Sequence, residues 1–163
     1  IAPMTGIIAQ VGKDMVDGLN MYLEETKGTF AGAKVKVIVE DSQAKPDTAV
    51  TKAKKLLLQD KVHMLLGGVL ATEGYALAPV STNDKTVYIA SVPAADDLTQ
   101  RDLPNYPYLI RTGWTSSQPH HALGQWACDQ GYKKIVAIGA GQALLDRVGV
   151  AVSLPKPSLR TLL

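Results

Sequence analysis

Residues 62–91 read VHMLLGGVLATEGYALAPVSTNDKTVYIAS, and this stretch decides the fold. Its opening run, VHMLL, is mostly apolar and ends at Gly67 and Gly68. Its closing run, TVYIAS, ends on the small residues Ala90 and Ser91. Short apolar runs that stop at small residues read as strands of a parallel sheet covered on both faces. Residues 72–83 between them read as a helix, kinked where Pro79 removes a hydrogen bond. Strand, helix, strand is the unit of a right-handed parallel crossover.

The same alternation extends outward in both directions. Upstream, residues 34–40 (KVKVIVE) place Val35, Val37 and Val39 on one face, a strand signal. Residues 46–59 read as a helix with Pro46 at its first position and Asp47 at its positive end. Its expected buried stripe is Ala49, Ala53, Leu56 and Leu57, with Lys52, Lys54 and Lys55 on the remaining surface. Residues 12–26 read as another helix, with Met15, Leu19, Tyr22 and Leu23 on one face and Gly28 as its stop. Downstream, residues 108–112 (YLIRT) and 134–138 (KIVAI) read as strands. A helix over 118–130 lies between them, capped near Ser117 and stopped at Gly131, with Ala122, Leu123, Trp126 and Ala127 as its apolar face. The expected class is α/β, a mainly parallel sheet with helices on both faces. Only residues 1–3 remain for a strand ahead of the first helix. The end differs in character: 153–163 (SLPKPSLRTLL) carries two prolines and reads as an extended tail.

Composition narrows the function classes. Of 163 residues, 17 are Lys or Arg and 15 are Asp or Glu, a formal net charge of +2. That balance speaks against a nucleic-acid binder, which presents a basic face. No apolar run reaches the roughly 18–20 residues of a membrane-spanning helix. The single cysteine, Cys128, excludes an internal disulfide and a cysteine-based zinc site, and reads as a small buried hydrophobe. Ile1 in place of Met reads as processing or trimming.

Several motif-like stretches fail on chemistry. Gly6 to Lys13 lacks phosphate-loop spacing, and Asp14 stands where a hydroxyl should hold magnesium. Gly139-Ala140-Gly141 follows a strand, but Leu144 is too bulky for the third glycine of a dinucleotide fingerprint. His120 and His121 are adjacent, not spaced four apart as helical metal ligands are, and His63 lies in a strand; packing or surface roles fit all three. Asp96-Asp97 reads as a turn pair that caps or solvates. No G-x-S-x-G elbow occurs. Neither a metal nor a cofactor is expected.

Two loops remain. Residues 67–72 follow one strand and 91–96 the next. Loops at the carboxyl edge of a parallel sheet are where ligands bind in this fold class, and free N–H groups at a helix start favour a carboxylate. The plainer alternative is that both are merely tight turns.

At this point the order of residues resembles a known family. Pro3-Met4-Thr5-Gly6, Gly12-Lys13-Asp14 and Gly18-Leu19 resemble the opening of type I periplasmic binding proteins, in particular the Leu/Ile/Val solute-binding subfamily of ABC transporters. Glu40-Asp41 with Pro46 and Ala49, Lys55-Leu56 with Asp60-Lys61-Val62, and Leu66-Gly67-Gly68 continue the resemblance. So do Ser91, Asp97-Leu98-Thr99-Gln100, residues 108–112, Ser117-Gln118 and Gly131-Tyr132-Lys133-Lys134-Ile135. The resemblance covers about residues 1–140.

It implies two α/β lobes closing on a small ligand. Residues 1–112 would form the first lobe, 113–140 the hinge crossing and start of the second, and 141–163 a divergent tail. The implied ligand-binding residues are Val69, Leu70, Ala71 and Thr72 after one strand and Ser91, Pro93 and Ala94 after the next. Leu70 and Ala71 stand where some relatives carry small hydroxyl residues, which leaves a branched-chain amino acid and a more apolar aromatic acid both open. The implied partners are a small carboxylate and an ABC transporter permease, with no nucleic acid, in the periplasm or in an extracellular, membrane-anchored setting. The loss of pattern after Gly139 reads as truncation, with impaired binding and self-association, as a homodimer, through an incomplete lobe. Two alternatives from other classes stay open: a small nucleotide-dependent α/β enzyme, and the effector-sensing lobe of a regulator or receptor.

Overall fold

The computed structural model describes residues 1–99 and 106–134. The chain divides into two compact units, Ile1–Trp114 and Thr115–Leu163. In the first unit the elements run α1 (Ala9–Glu25), β1 (Thr29–Phe30), β2 (Ala33–Lys34), α2 (Pro46–Leu58), β3 (Met64–Leu66), α3 (Ala71–Asp84), β4 (Val87–Ala90), a 3-10 turn (Asp96–Leu98) and β5 (Leu109–Arg111). The second unit contains α4 (Ser117–Asp129).

Strands β3, β4 and β5 form a parallel sheet in that order. The register aligns Leu65 with Tyr88 and Tyr88 with Leu109, so the three side chains share one face. All three are buried, and α2 and α3 cover them. Helix α2 contributes the expected stripe, Ala49, Ala53, Leu56 and Leu57, all buried, with Pro46 at its start and Asp47 in its first turn. Helix α3 contributes Leu77 and Ala78 and continues through the exposed Pro79 to a left-handed stop at Lys85, φ 58°. Each buried leucine side chain contributes roughly 1.5–3 kcal/mol. The opposite sheet face is more open: Met64 and Ile110 are about half exposed, at 47% and 51%.

Residues 34–40 depart from the expected strand. Only Ala33–Lys34 pairs, antiparallel with Thr29–Phe30. Alternation survives without a ladder: Ile38 packs against the core and Glu40 is buried, while Val35, Val37 and Val39 are exposed. A strand needs a second backbone along its length, and among the described residues none runs beside the whole of this stretch. One arrives only at the end, where Ala2 bridges Asp41 in parallel, its N–H donating to the Glu40 carbonyl (3.1 Å) and its carbonyl accepting from Ser42 N–H (3.0 Å).

Helix α1 begins at Ala9, ahead of the expected start. Met15, Leu19 and Leu23 are half-buried, but Tyr22 is exposed. Gly12 is the buried residue of the helix.

Gly74 is a close-packing position of α3. A Cβ there would lie 2.8 Å from both Pro93 Cβ and Leu98 Cδ1. The leucine end can swing away, but the proline ring cannot. Alanine gains about 1 kcal/mol in helix propensity over glycine, while overpacking costs about 1–3 kcal/mol. Gly74→Ala is therefore expected to lower stability by up to about 2 kcal/mol, read as a reduced urea midpoint at unchanged slope; a raised midpoint contradicts the packing assignment.

In the second unit, Thr115 N–H donates to Gln118 Oε1 (3.0 Å) at the start of α4. Gly131, φ +73°, ends the helix, with its N–H on the Cys128 carbonyl (2.9 Å) and Tyr132 N–H on that of Ala127 (3.1 Å). The expected apolar face is only partly buried. Ala127 is buried, whereas Ala122, Leu123 and Trp126 are exposed and Cys128 is half-buried. An apolar stripe is buried only where another layer covers it; here Trp126 leans on Tyr132, ring centroids 5.6 Å apart. The expected strand at 134–138 beyond Lys134, the Gly139–Gly141 turn and the tail at 141–163 lie outside the described residues.

Candidate functional site

The loops after β3 and β4 leave the same edge of the sheet, because the two strands are parallel neighbours. Gly67, φ +121°, and Gly68, φ +72°, turn the chain out of β3. Tyr88, fully buried in β4, donates its hydroxyl to the Gly67 carbonyl (3.0 Å). Burial pushes the Tyr88 phenol well above its ordinary pKa, and the charge of Glu73 adds to the rise. Pro93, itself fully buried, supports both loops: Cβ atoms at Gly68 and Gly74 would meet its ring at 3.3 Å and 2.8 Å. The structure thus brings the two predicted loops together.

The individual residues divide by exposure and by what their polar atoms already do. Leu70 and Thr72 are exposed, and Val69, Ala71, Ser91 and Ala94 are half-buried. The N–H groups of Val69 and Leu70 donate to Glu73 Oε2 at 2.9 and 3.0 Å. The N–H groups of Ala71 and Thr72, at the positive start of α3, find no acceptor among the described residues. The Ser91 hydroxyl oxygen is buried and also lacks a partner there. The site therefore offers two amide donors and two hydroxyls, from Thr72 and Ser91. Such donors suit an anion, a carboxylate among them.

Two supports escaped the sequence reading. Glu73 sits three residues after Leu70, as the acidic member of a capping box does, but an apolar residue occupies the place where that motif has Ser or Thr. Arg111 ties down the second loop, donating to the Ala95 carbonyl (2.6 Å) and to Thr99 Oγ1. Burial lowers its pKa, opposed by Asp96 and Asp97. Tyr75 donates its hydroxyl to Asp97, which gives that aspartate a structural task. Gly113 passes so close that a Cβ would lie 2.3 Å from the Ser91 carbonyl oxygen.

A neighbouring edge is built on acids. Asp41 accepts from Met4 N–H (2.8 Å), Gln43 N–H (2.8 Å) and the Thr5 hydroxyl (2.6 Å). Burial raises its pKa, but these bonds, the Thr5 hydroxyl first, outweigh it and hold the carboxyl below its ordinary value. Lys52 and Lys55 do the same for Glu40, with Lys52 Nζ at 2.7 Å. A depressed folded pKa stabilises above the unfolded pKa and is lost as pH falls through the folded one. Stability is thus expected to decline once pH drops below about 4, and Asp41→Asn to flatten that decline. Urea midpoints across the acid range check this; an acid slope identical in the variant contradicts it.

The other candidates do not converge. His63 and His121 are exposed, and His120 bonds the Ser116 carbonyl through Nδ1. Among the described residues no group of three or more His, Cys, Asp or Glu is placed to hold a metal, and no helix is long and apolar enough to cross a membrane. A shallow groove on α2, lined by Thr51, Lys54 and Leu58 among others, shares no residue with the two loops.

The sequence profile of the periplasmic binding proteins matches residues 1–152. Leu/Ile/Val-binding protein homolog 6 of Brucella abortus is 24% identical over 139 residues, covering 85% of this chain and 35% of that protein. A solute-binding protein of an ABC transporter from Rhodopseudomonas palustris, solved with 3,4-dihydroxybenzoic acid, superposes with a TM-score of 0.81 at 30% identity. That match covers 93% of this chain and 42% of the other. An ABC transporter substrate-binding protein from Sphaerobacter thermophilus gives 0.79 at 26% identity, covering 92% and 41%. The chain thus spans well under half the length of these relatives.

Proposed function

The chain belongs to the periplasmic binding protein family, and from that premise we propose that it captures a small carboxylate as the solute-binding component of an ABC importer. Residues 1–112 act as the first lobe, 113–140 as the hinge crossing and start of the second, and 141–163 as a tail. The observation that carries the reading is a set of donors on two neighbouring loops of one sheet edge that have no partner among the described residues: Ala71 N–H, Thr72 N–H and the buried Ser91 hydroxyl. These bind the ligand's carboxylate, and Leu70, exposed beside them, offers apolar contact to its body. That surface favours an aromatic acid over a branched-chain amino acid, in line with the dihydroxybenzoic acid held by the Rhodopseudomonas protein. The work is capture and delivery to a membrane permease, without catalysis, in the periplasm or tethered outside the cell.

Ligand contact from this edge alone leaves much of the ligand in water, whereas binding pockets bury most of it. Affinity for this chain alone is accordingly expected to be low. Self-association through the open sheet face bearing Met64 and Ile110 belongs to the same proposal; a monomer in sedimentation at high concentration counts against it. A thermal-shift screen of benzoates, leucine, isoleucine, valine and nucleotides tests the main reading. Stabilisation by carboxylates, with benzoates ahead, is the expected result. A response to nucleotides alone overturns it in favour of a nucleotide-using enzyme.

A further inference from the structure

We propose that Glu73 is the positioning residue of the loop at 69–72, and that its charge restricts that loop to ligands whose binding group carries a single negative charge. The proposal rests on the solute-binding reading above. Glu73 is fully buried, yet among the described residues only one of its oxygens has a partner. Oε2 accepts from both Val69 and Leu70 N–H, while Oε1 is buried without a partner among the described residues. The carboxylate thus reaches back from the first turn of α3 and holds the loop from inside the fold. Hydrogen bonds to an ionised acceptor are roughly twice as strong as neutral ones. A loop held this way meets its ligand already ordered, so less conformational entropy is lost on binding.

The same charge sets a limit. The start of a helix carries about half a positive charge. Glu73 places a full negative charge in that first turn; the Ile1 ammonium that it attracts is held below its ordinary pKa by burial and offsets that charge only in part, so the local balance stays negative. Residues 69–72 and 91–94 contain no Lys or Arg to offset more. Arg111 is occupied with the Ala95 carbonyl and Thr99. A monocarboxylate meets four hydrogen-bond donors there; a second negative charge on the same head group meets repulsion.

The test uses the full chain, wild type and Glu73→Gln, which keeps the side-chain volume and removes the charge. In amide exchange followed by NMR, wild-type Val69 and Leu70 are expected to be protected and Ala71 and Thr72 not. Glu73→Gln is expected to speed exchange at Val69 and Leu70 about tenfold, with Leu77 and Tyr88 unchanged. Unprotected Val69 and Leu70 in the wild type, or protection unchanged in the variant, overturns the positioning role; the wild-type arm decides it even if the variant does not fold. Benzoate and phenylphosphonate, compared at alkaline pH where the phosphonate is a dianion, test the limit. The wild type is expected to prefer benzoate, and Glu73→Gln to narrow the preference about tenfold. Loop loosening cancels in that ratio, so an unchanged ratio overturns the charge limit. If the wild type binds neither, the solute-binding reading fails and takes the charge limit with it, while exchange still decides the positioning role.

Discussion

Gly67→Ala is expected to cost about 4 kcal/mol or more, a large share of the roughly 5–15 kcal/mol that holds a domain together. Two independent terms add. Gly67 has φ +121°, a conformation that a residue with a Cβ rarely adopts. Its added Cβ would also lie 2.0 Å from the Ile1 carbonyl oxygen. That oxygen cannot retreat freely, because it accepts the Gly68 N–H at 2.9 Å. Nor can Gly67 move, since its N–H donates to the Ile89 carbonyl (3.0 Å) and its carbonyl accepts from Tyr88. Gly6 is the internal control: its φ is +89°, but a Cβ there meets nothing within 4 Å. Gly6→Ala is therefore expected to cost only the backbone term, about 1–2 kcal/mol. Urea unfolding of both variants gives the comparison. Equal losses would show that crowding against Ile1 does not matter.

The second large effect is at Tyr88, the side chain that joins the core to the turn after β3. Its ring lies between Leu65 and Leu109 in the sheet register and is fully buried. Tyr88→Ala is expected to lose about 3–5 kcal/mol through the cavity it leaves. Tyr88→Phe keeps the ring and removes only the bond to the Gly67 carbonyl. Leaving that acceptor unpaired is expected to cost about 1–3 kcal/mol. Denaturation midpoints separate the two. A Tyr88→Phe variant as stable as the wild type would show that the hydroxyl does not brace the turn.

What the sequence revealed depended on whether a local pattern had a single structural solution. Helix α2 was legible from its first residue to within one of its last, since Pro46, Asp47 and the stripe Ala49, Ala53, Leu56 and Leu57 all require the same helix in the same orientation. The parallel strands were legible as short apolar runs, and the resemblance to periplasmic binding proteins is matched by the family profile. Residues 34–40 misled because alternation reports which side faces inward, not whether a neighbouring backbone exists to pair with. On α4, Leu123 and Trp126 misled for a related reason, because an apolar stripe does not say what covers it. At the site, the two loops were visible as small-residue turns after strands. Which amides remained free was not, because that depends on Glu73 turning back onto Val69 and Leu70. The Arg111 tether was equally hidden, joining β5 to carbonyls more than a dozen residues earlier.

The central claim is that the edge formed by Ala71, Thr72 and Ser91 receives a carboxylate. Its most direct test is an NMR titration of the isotope-labelled chain with benzoate, following every backbone amide. The amides of Ala71 and Thr72, with those around Ser91, are expected to shift first and saturate together, while those of α2 stay still. Shifts confined to the lysine face of α2, or absent at benzoate concentrations that saturate weak sites, would contradict it.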